Sequence, residues 1–317
     1  MTGLPPLADA DILAARGPRE AVDPAKPYAC FAEPEPTPEG ALEDVAAIFT
    51  TNAECAYRCL VCDLWKYTGE RGAAAAPVAD QVALALAQFP SAPHVKIYNA
   101  GSFFDTRAIS RDDRMRIAEL VAGRRTLIVE CHPRLVNRDC AELAAAIAPV
   151  KLEVAMGLET VDPDVLPRLN KGMGLEDFER AARFLVDCGV NVRAFILLGP
   201  PGHRGHRAVL WAKRSFDYAY SVGAECCVVI PVRPGNGIVD ALEREGHYAR
   251  PTLAALEAAL AHGLAAGRGR AFADLWDIEA FFDCERCSAE RAAAIRRMNL
   301  TQRPVPPLHC NCTEQAR

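Results

Sequence analysis

The stretch "VAAIFTTNAECAYRCLVC", residues 45–62, runs a short apolar segment directly into three cysteines spaced C-x3-C-x2-C. Val45 to Thr50 reads as a strand buried on both faces, the pattern of a parallel sheet covered by helices. Five further runs share that character: Val95 to Asn99, Thr126 to Glu130, Leu152 to Gly157, Val190 to Leu198 and Cys226 to Pro231. Between them, Val78 to Phe89, Arg111 to Ala122, Asp139 to Ile147, Leu175 to Cys188 and Arg207 to Val222 have apolar residues at helical spacing, and Thr252 to Ala266 follows as another helix. Six βα units are too few for a closed eight-stranded barrel, so the expected fold class is α/β, a partial (β/α)6 barrel. Ligands of such sheets collect at the carboxyl ends of the strands, and the cysteine loop lies at the first of those ends.

The chain has 317 residues, 50% hydrophobic and 24% charged, which is enough for one large core with a small appended module. No run reaches the roughly 18 apolar residues of a membrane helix, and the N-terminus lacks a basic region followed by an apolar one. The reading is therefore of a soluble, cytoplasmic protein with no membrane partner. A formal net charge of −5 exerts no global pull toward nucleic acid. Thirteen cysteines in a reducing compartment point to metal or redox chemistry instead of disulfides. Six of them (Cys30, Cys131, Cys140, Cys188, Cys226 and Cys227) are scattered and read as small, mostly buried side chains. Residues 1–44, with eight prolines before residue 40, read as an arm wrapping the surface, 45–267 as the barrel, and 268–317 as a cysteine-rich C-terminal extension.

Cys55, Cys59 and Cys62 offer three thiolates around one small volume, a ligand set suited to an iron-sulfur cluster. A [4Fe-4S] cluster held by three cysteines leaves one iron open to the amino and carboxylate groups of S-adenosylmethionine (SAM). An electron passed to the sulfonium then gives a 5′-deoxyadenosyl radical, the cofactor carrying the hard chemistry. The competing readings are three structural cysteines or zinc, although a structural zinc takes four ligands and no fourth follows nearby.

Here the chain resembles the radical SAM superfamily over roughly residues 45–235. The closer likeness is to the branch of the elongator catalytic subunit and the radical SAM subunit of archaeosine synthase. It rests on "KIYNAGSFFDTRAI", "IVECHPRLV", "GLETVDPDVLPRLNKGM" and "RAFILLGPPG". The resemblance implies a radical SAM enzyme, lyase-type, using a SAM-binding [4Fe-4S] cluster. It also implies an electron donor such as flavodoxin or ferredoxin and a modified 7-deazaguanine in tRNA as substrate. At Val61 the superfamily often has an aromatic residue near adenine, a place an aliphatic side chain can fill.

On that scaffold Asn99, Gly101 and Ser102 stand where the superfamily binds the methionine part of SAM, or else form an ordinary strand-to-helix turn. Glu130 ends the third predicted strand and Glu159 follows the fourth, and both either bind ribose hydroxyls or an ammonium, or make structural salt bridges. Arg193, a charge inside a strand, needs a partner: the SAM carboxylate or a buried glutamate. Ile230 and Pro231 are placed near the purine, and Arg233 or Asn236 toward substrate. His203 and His206 read as solvated loop residues. Arg204, Arg207, Lys213 and Arg214 are candidate phosphate contacts whose helical spacing equally suits a solvated face.

In the tail, Cys284 and Cys287 form C-x2-C and Cys310 and Cys312 form C-x-C, together a four-thiolate site. Zinc and a second [4Fe-4S] cluster both fit that set, and His309 is an alternative ligand. Three functions follow: a radical SAM enzyme acting on RNA, one acting on a small molecule or peptide, and a non-catalytic metal-binding interaction protein.

Overall fold

The computed structural model describes residues 4–69 and 77–314. Eight strands form one sheet, paired in chain order: β1 (Ala29–Pro36), β2 (Leu42–Thr50), β3 (His94–Asn99), β4 (Thr126–Glu130), β5 (Lys151–Glu159), β6 (Asn191–Leu198), β7 (Cys226–Pro231) and β8 (Arg270–Ala273). Only the β1–β2 pair is antiparallel. The helices are α1 (Asp9–Ala15), α2 (Val78–Leu86), α3 (Arg111–Leu120), α4 (Arg138–Ile147), α5 (Leu175–Asp187), α6 (His206–Ser221), α7 (Ile238–Arg244), α8 (Leu253–Ala265) and α9 (Ser288–Thr301). Among the described residues no helix is long and apolar enough to cross a membrane.

Alternation along each strand sorts side chains to the two faces of the sheet. Ile48, Val95, Ile97, Leu127, Val154 and Ile196 join the helices in the main core on the outer face. The inner face carries charge at one end. Lys96, Glu35, Arg193, Glu153 and Arg270, from β3, β1, β6, β5 and β8, are linked across the barrel. Arg193 reaches Glu35 and Glu153 at 2.5 Å each, and Arg270 reaches Glu153 at 2.7 Å and Glu35 at 3.2 Å. Lys96 adds bonds to Glu33, at 2.9 Å, and to Glu35. Because Lys96, Glu153 and Arg193 each sit in the first half of their strand, this network is a floor at the amino ends. The sheet curls far enough for β8 to touch β1 there, where Arg270 also donates to the Pro36 carbonyl at 3.3 Å. Of the two partners expected for Arg193, the structure supplies the buried glutamate and not a carboxylate ligand at the rim. Its guanidinium is 2% exposed and spent on Glu35 and Glu153 at the opposite end.

Two strands escaped the sequence reading. β1, "ACFAEPEP", lies inside the segment expected to wrap the surface. Its prolines suit an antiparallel edge strand, and its inward glutamates exist to meet the floor cations. β8, "RAFA", is too short to show a period. The N-terminal segment also contributes to packing, since Leu4 and Ile12 enter a second apolar cluster with Leu60, Val165, Leu197, Val239 and Tyr248.

Candidate active site

The loop leaving β2 is fastened by side-chain amides from other parts of the fold. Asn52 both donates to the Ala100 carbonyl and accepts from the Ala100 N–H, each at 3.1 Å, tying the loop to the end of β3. Gln81 of α2 does the same for Thr51, at 2.9 and 2.7 Å. Asn170, beyond β5, donates to the Arg58 carbonyl at 2.8 Å. Asn236, beyond β7, donates to the Leu60 carbonyl at 2.7 Å and to that of Cys62 at 3.4 Å. Asn236 thus faces the cysteine loop and not substrate. Arg233 also departs from its expected place, pairing with Asp274 at 2.8 Å and donating to the Trp276 carbonyl.

Within this frame Cys55 raises Cys59, and both raise Cys62. Burial is the largest effect on each; it pushes Cys59 up to about 11 and Cys62 higher still, with the neighbouring thiolates adding to the rise. Enclosed thiols whose negative forms repel one another suit a bound cation, because a metal takes the place of their protons. Lys171 stands nearby, 7% exposed and paired with Glu159; burial works to lower its ammonium, but Glu159 and Cys59 outweigh it and raise it. Tyr57, between the first two cysteines, stacks on His132 at 3.9 Å and 6°. Burial lowers His132 to about 4, and its Nε2 lies 3.0 Å from the Lys171 carbonyl. Glu54 receives Arg16 at 2.7 Å, Arg19 at 2.5 Å and Arg58 at 3.3 Å, so the N-terminal segment is fixed against the loop's outer side.

The other residues expected at the site lie at or just beyond the carboxyl ends of β3 to β7. Gly101 has φ +136°, a backbone conformation that side chains rarely adopt, and lies beside Cys55, whose Cβ would be in ordinary contact at 3.6 Å with a Cβ added there. Ser102 accepts from the His132 N–H at 2.8 Å. Asn99 is buried, and neither polar atom of its side chain has a partner among the described residues. An orphaned amide beside a glycine turn and three thiols fits a polar ligand group, because a buried amide left unpaired is costly. Glu130 and Glu159 end β4 and β5, and Glu159 takes the left-handed backbone, φ 65°. Ile230 packs with Val61 and Leu60 on the second apolar cluster, and Pro231 closes β7 beside Leu198. That wall suits the apolar face of a purine. His203 corrects its assignment as solvated: it is 1% exposed and lies 2.9 Å from Asp162. Arg207 is held by the same carboxylate at 3.1 Å and Arg214 lies over Trp211, whereas His206 and Arg204 are exposed and Lys213 half-buried.

Between rim and floor the barrel is lined with aromatic rings that the sequence reading passed over. Phe49 and Tyr98 are register partners on β2 and β3, 5.1 Å apart between centroids. Phe49 also meets Tyr28 and Phe31 at 5.7 Å and Trp276 at 6.0 Å, while Tyr28 stacks on Tyr67 at 4.3 Å. None of the six belongs to either apolar core; five are half-buried and Trp276 is 53% exposed. The available signal was that Phe49 and Tyr98 each occupy the penultimate position of an inward-alternating strand.

Glu130 gives a pH prediction. Burial pushes its carboxyl up to about 8, against an opposing hydrogen bond from the Asn99 backbone. The unfolded chain ionises Glu130 near the ordinary value, so this group destabilises the fold progressively from about pH 4.5 to 8 and no further above that. Up to about 1.4 kcal/mol per pH unit is involved. Glu130→Gln removes the slope. Its melting temperature relative to wild type should climb between pH 5 and 8, and a constant difference would refute the burial argument.

The fold is a half-barrel with three cysteines on the loop at the carboxyl end of its first parallel strand. The profile of the radical SAM superfamily matches residues 50–208, half of the chain, and the chain belongs to that superfamily. It is a radical SAM enzyme, and the family carries a [4Fe-4S] cluster and SAM. Archaeosine synthase subunit beta of Methanosarcina acetivorans is 29% identical over 247 residues, covering 69% of this chain and 67% of that protein. Its counterpart from Thermococcus kodakarensis is 33% identical over 111 residues, which is 33% of this chain and 34% of the relative. In solved structures the fold resembles methylornithine synthase, with a TM-score of 0.55 at 13% identity, covering 77% of this chain and 68% of that one.

Proposed function

We propose that this enzyme acts on a flat heteroaromatic base, a modified 7-deazaguanine in transfer RNA, and breaks a C–N bond in the base's side chain to leave an amidine. The observation that carries this reading is the ring-lined interior. Six aromatic side chains left out of both cores, beneath a three-thiol rim, form the kind of surface on which a base stacks. The likeness to archaeosine synthase subunit beta supports the same choice. When bound, the cluster and SAM supply the radical that abstracts hydrogen from substrate, an external donor such as flavodoxin or ferredoxin providing the electron.

The protein's own part is binding and exclusion. In this reading Cys55, Cys59 and Cys62 hold the cluster. Asn99, Gly101, Ser102, Glu130 and Glu159 meet the polar groups of SAM, and Ile230 and Pro231 flank its purine. The aromatic layer then holds the target carbon beside the reacting end of the cofactor, where positioning supplies most of the rate. The charged floor closes the far end, so substrate enters from the rim.

Two measurements test the proposal. Transfer RNA bearing a lysine-modified deazaguanine, incubated with reduced enzyme and digested to nucleosides, should lose that nucleoside by mass spectrometry, with binding that weakens steeply as salt rises. An untouched nucleoside together with 5′-deoxyadenosine formed from a small-metabolite fraction would overturn it. Trp276→Ala, at an exposed position, should cost about 5- to 100-fold in turnover of the modified RNA, the worth of about 1–3 kcal/mol of stacking. It should leave substrate-independent SAM cleavage intact.

A further inference from the structure

The four tail cysteines converge more tightly than a cluster allows. All their sulfurs lie within 4.8 Å of one another, with Cys284 and Cys310 at 4.0 Å and Cys287 and Cys312 at 3.4 Å. A tetrahedral zinc ion with bonds of about 2.3 Å spaces its sulfurs about 3.8 Å apart. A four-iron cluster interposes its own cage of iron and sulfide among the thiolates and needs a wider ring. We propose that Cys284, Cys287, Cys310 and Cys312 hold a single zinc ion, and that this ion clamps the helix sealing the last edge of the sheet.

The sealing is visible in the hydrogen bonds of β8. On one side the Arg270 N–H reaches the Glu225 carbonyl, just before β7, at 2.8 Å. On the other side no ninth strand follows among the described residues, and α9 takes its place. Gln302, just beyond the helix, accepts from the Ala271 N–H and donates to the Ala271 carbonyl, both at 2.9 Å. Asn299 does the same for Ala273, both at 2.8 Å. Two side-chain amides therefore satisfy the outward backbone groups of an edge strand that would otherwise invite another chain.

The segment following α9 has little else to hold it. Between residues 302 and 312 none is fully buried, and Val305 alone among them packs on the main core, so apolar packing holds the tail that carries Cys310 and Cys312 only lightly. Cys287 occupies the cap position at the start of α9, and the ion joins that start to the chain beyond the helix's end. Arg291, one turn into α9, supports the arrangement. One turn from Cys287, it donates to the Leu308 carbonyl at 2.8 Å and pairs with Glu257 of α8. A guanidinium beside a four-thiolate zinc offsets the site's excess negative charge. A saturated zinc has no redox chemistry and no open position, so this site is a fastener and not an electron relay.

The full-length chain carrying Cys55→Ala, Cys59→Ala and Cys62→Ala isolates the tail metal. The expected content is about one zinc per chain without sulfide. Four irons with sulfide, one iron alone, or no metal would each overturn the assignment. The clamp is tested on the wild-type chain by stripping zinc with a chelator and following hydrogen exchange. Protection of the Ala271 and Ala273 amides should fall at least about tenfold and return on adding zinc alone, while β3 to β5 stay protected. Unchanged protection at those two amides, or its loss throughout the sheet, would overturn the clamp.

Discussion

Replacing Cys55, Cys59 and Cys62 together with alanine abolishes the formation of 5′-deoxyadenosine from SAM, while the metal held by the tail cysteines stays in place. The three thiols are the ligand set that the loop presents at the rim, and the remaining cysteines near it, such as Cys131, are buried in the outer core. The loss should therefore be complete, not graded. The folded chain should survive the change, because Asn52, Gln81, Asn170 and Asn236 fasten the loop through its backbone and not through its sulfurs. Anaerobic reduction with excess dithionite followed by chromatographic detection of the nucleoside provides the measurement. Residual 5′-deoxyadenosine in the triple variant would mean that another site generates the radical.

The second large effect is on stability. Arg193→Ala leaves Glu35 and Glu153 enclosed with one cation fewer, and a buried pair broken on one side costs about 3–5 kcal/mol. Burial alone works to raise the Glu35 carboxyl, but Arg193 and Lys96 outweigh it and hold it well below the usual carboxylate range; Glu153 is lowered likewise by Arg193 and Arg270. A depressed carboxyl contributes stability that is complete above its unfolded pKa, about 4–5, and is lost as the pH falls through the folded value. The wild-type chain should thus lose stability steeply in acid, and Arg193→Ala should flatten that dependence while lowering the plateau. Urea unfolding at pH 7 and pH 4 reads both. A plateau within about 1 kcal/mol of wild type would show that the floor relaxes around the missing arginine.

Much of the architecture was written in near-continuous apolar runs. β2 to β7 and their helices fall close to the expected spans because a parallel strand buried on both faces needs only hydrophobicity to announce itself. β1 and β8 do not, since one is a proline-bearing edge and the other four residues long. The thiol spacing marked the rim, and Asn99, Gly101, Glu130 and Glu159 arrive there because strand ends are points that sequence locates well. Arg193 shows the limit of that reasoning. A charged residue within a strand needs a partner, but which end of the barrel supplies it depends on the registers of β1, β5 and β8, and on pairing with Glu35 from 158 residues away. The aromatic lining was hidden for a related reason: Phe31, Phe49, Tyr98 and Trp276 are single residues on separate segments, assembled only when the sheet curls.

The floor also imposes an order on biosynthesis. Glu35 is made long before Arg270, 235 positions ahead of it in the chain, yet they meet at 3.2 Å. Until residue 270 has emerged, the nascent barrel holds Glu35, Glu153 and Glu225 against Lys96 and Arg193 alone, a deficit of positive charge that opposes closure. Closure of so long a loop is entropically unfavourable until the last cation arrives. The barrel therefore cannot shut until residue 270 has been made, and a chain released before that point keeps an unsealed interior open to chaperones and proteases.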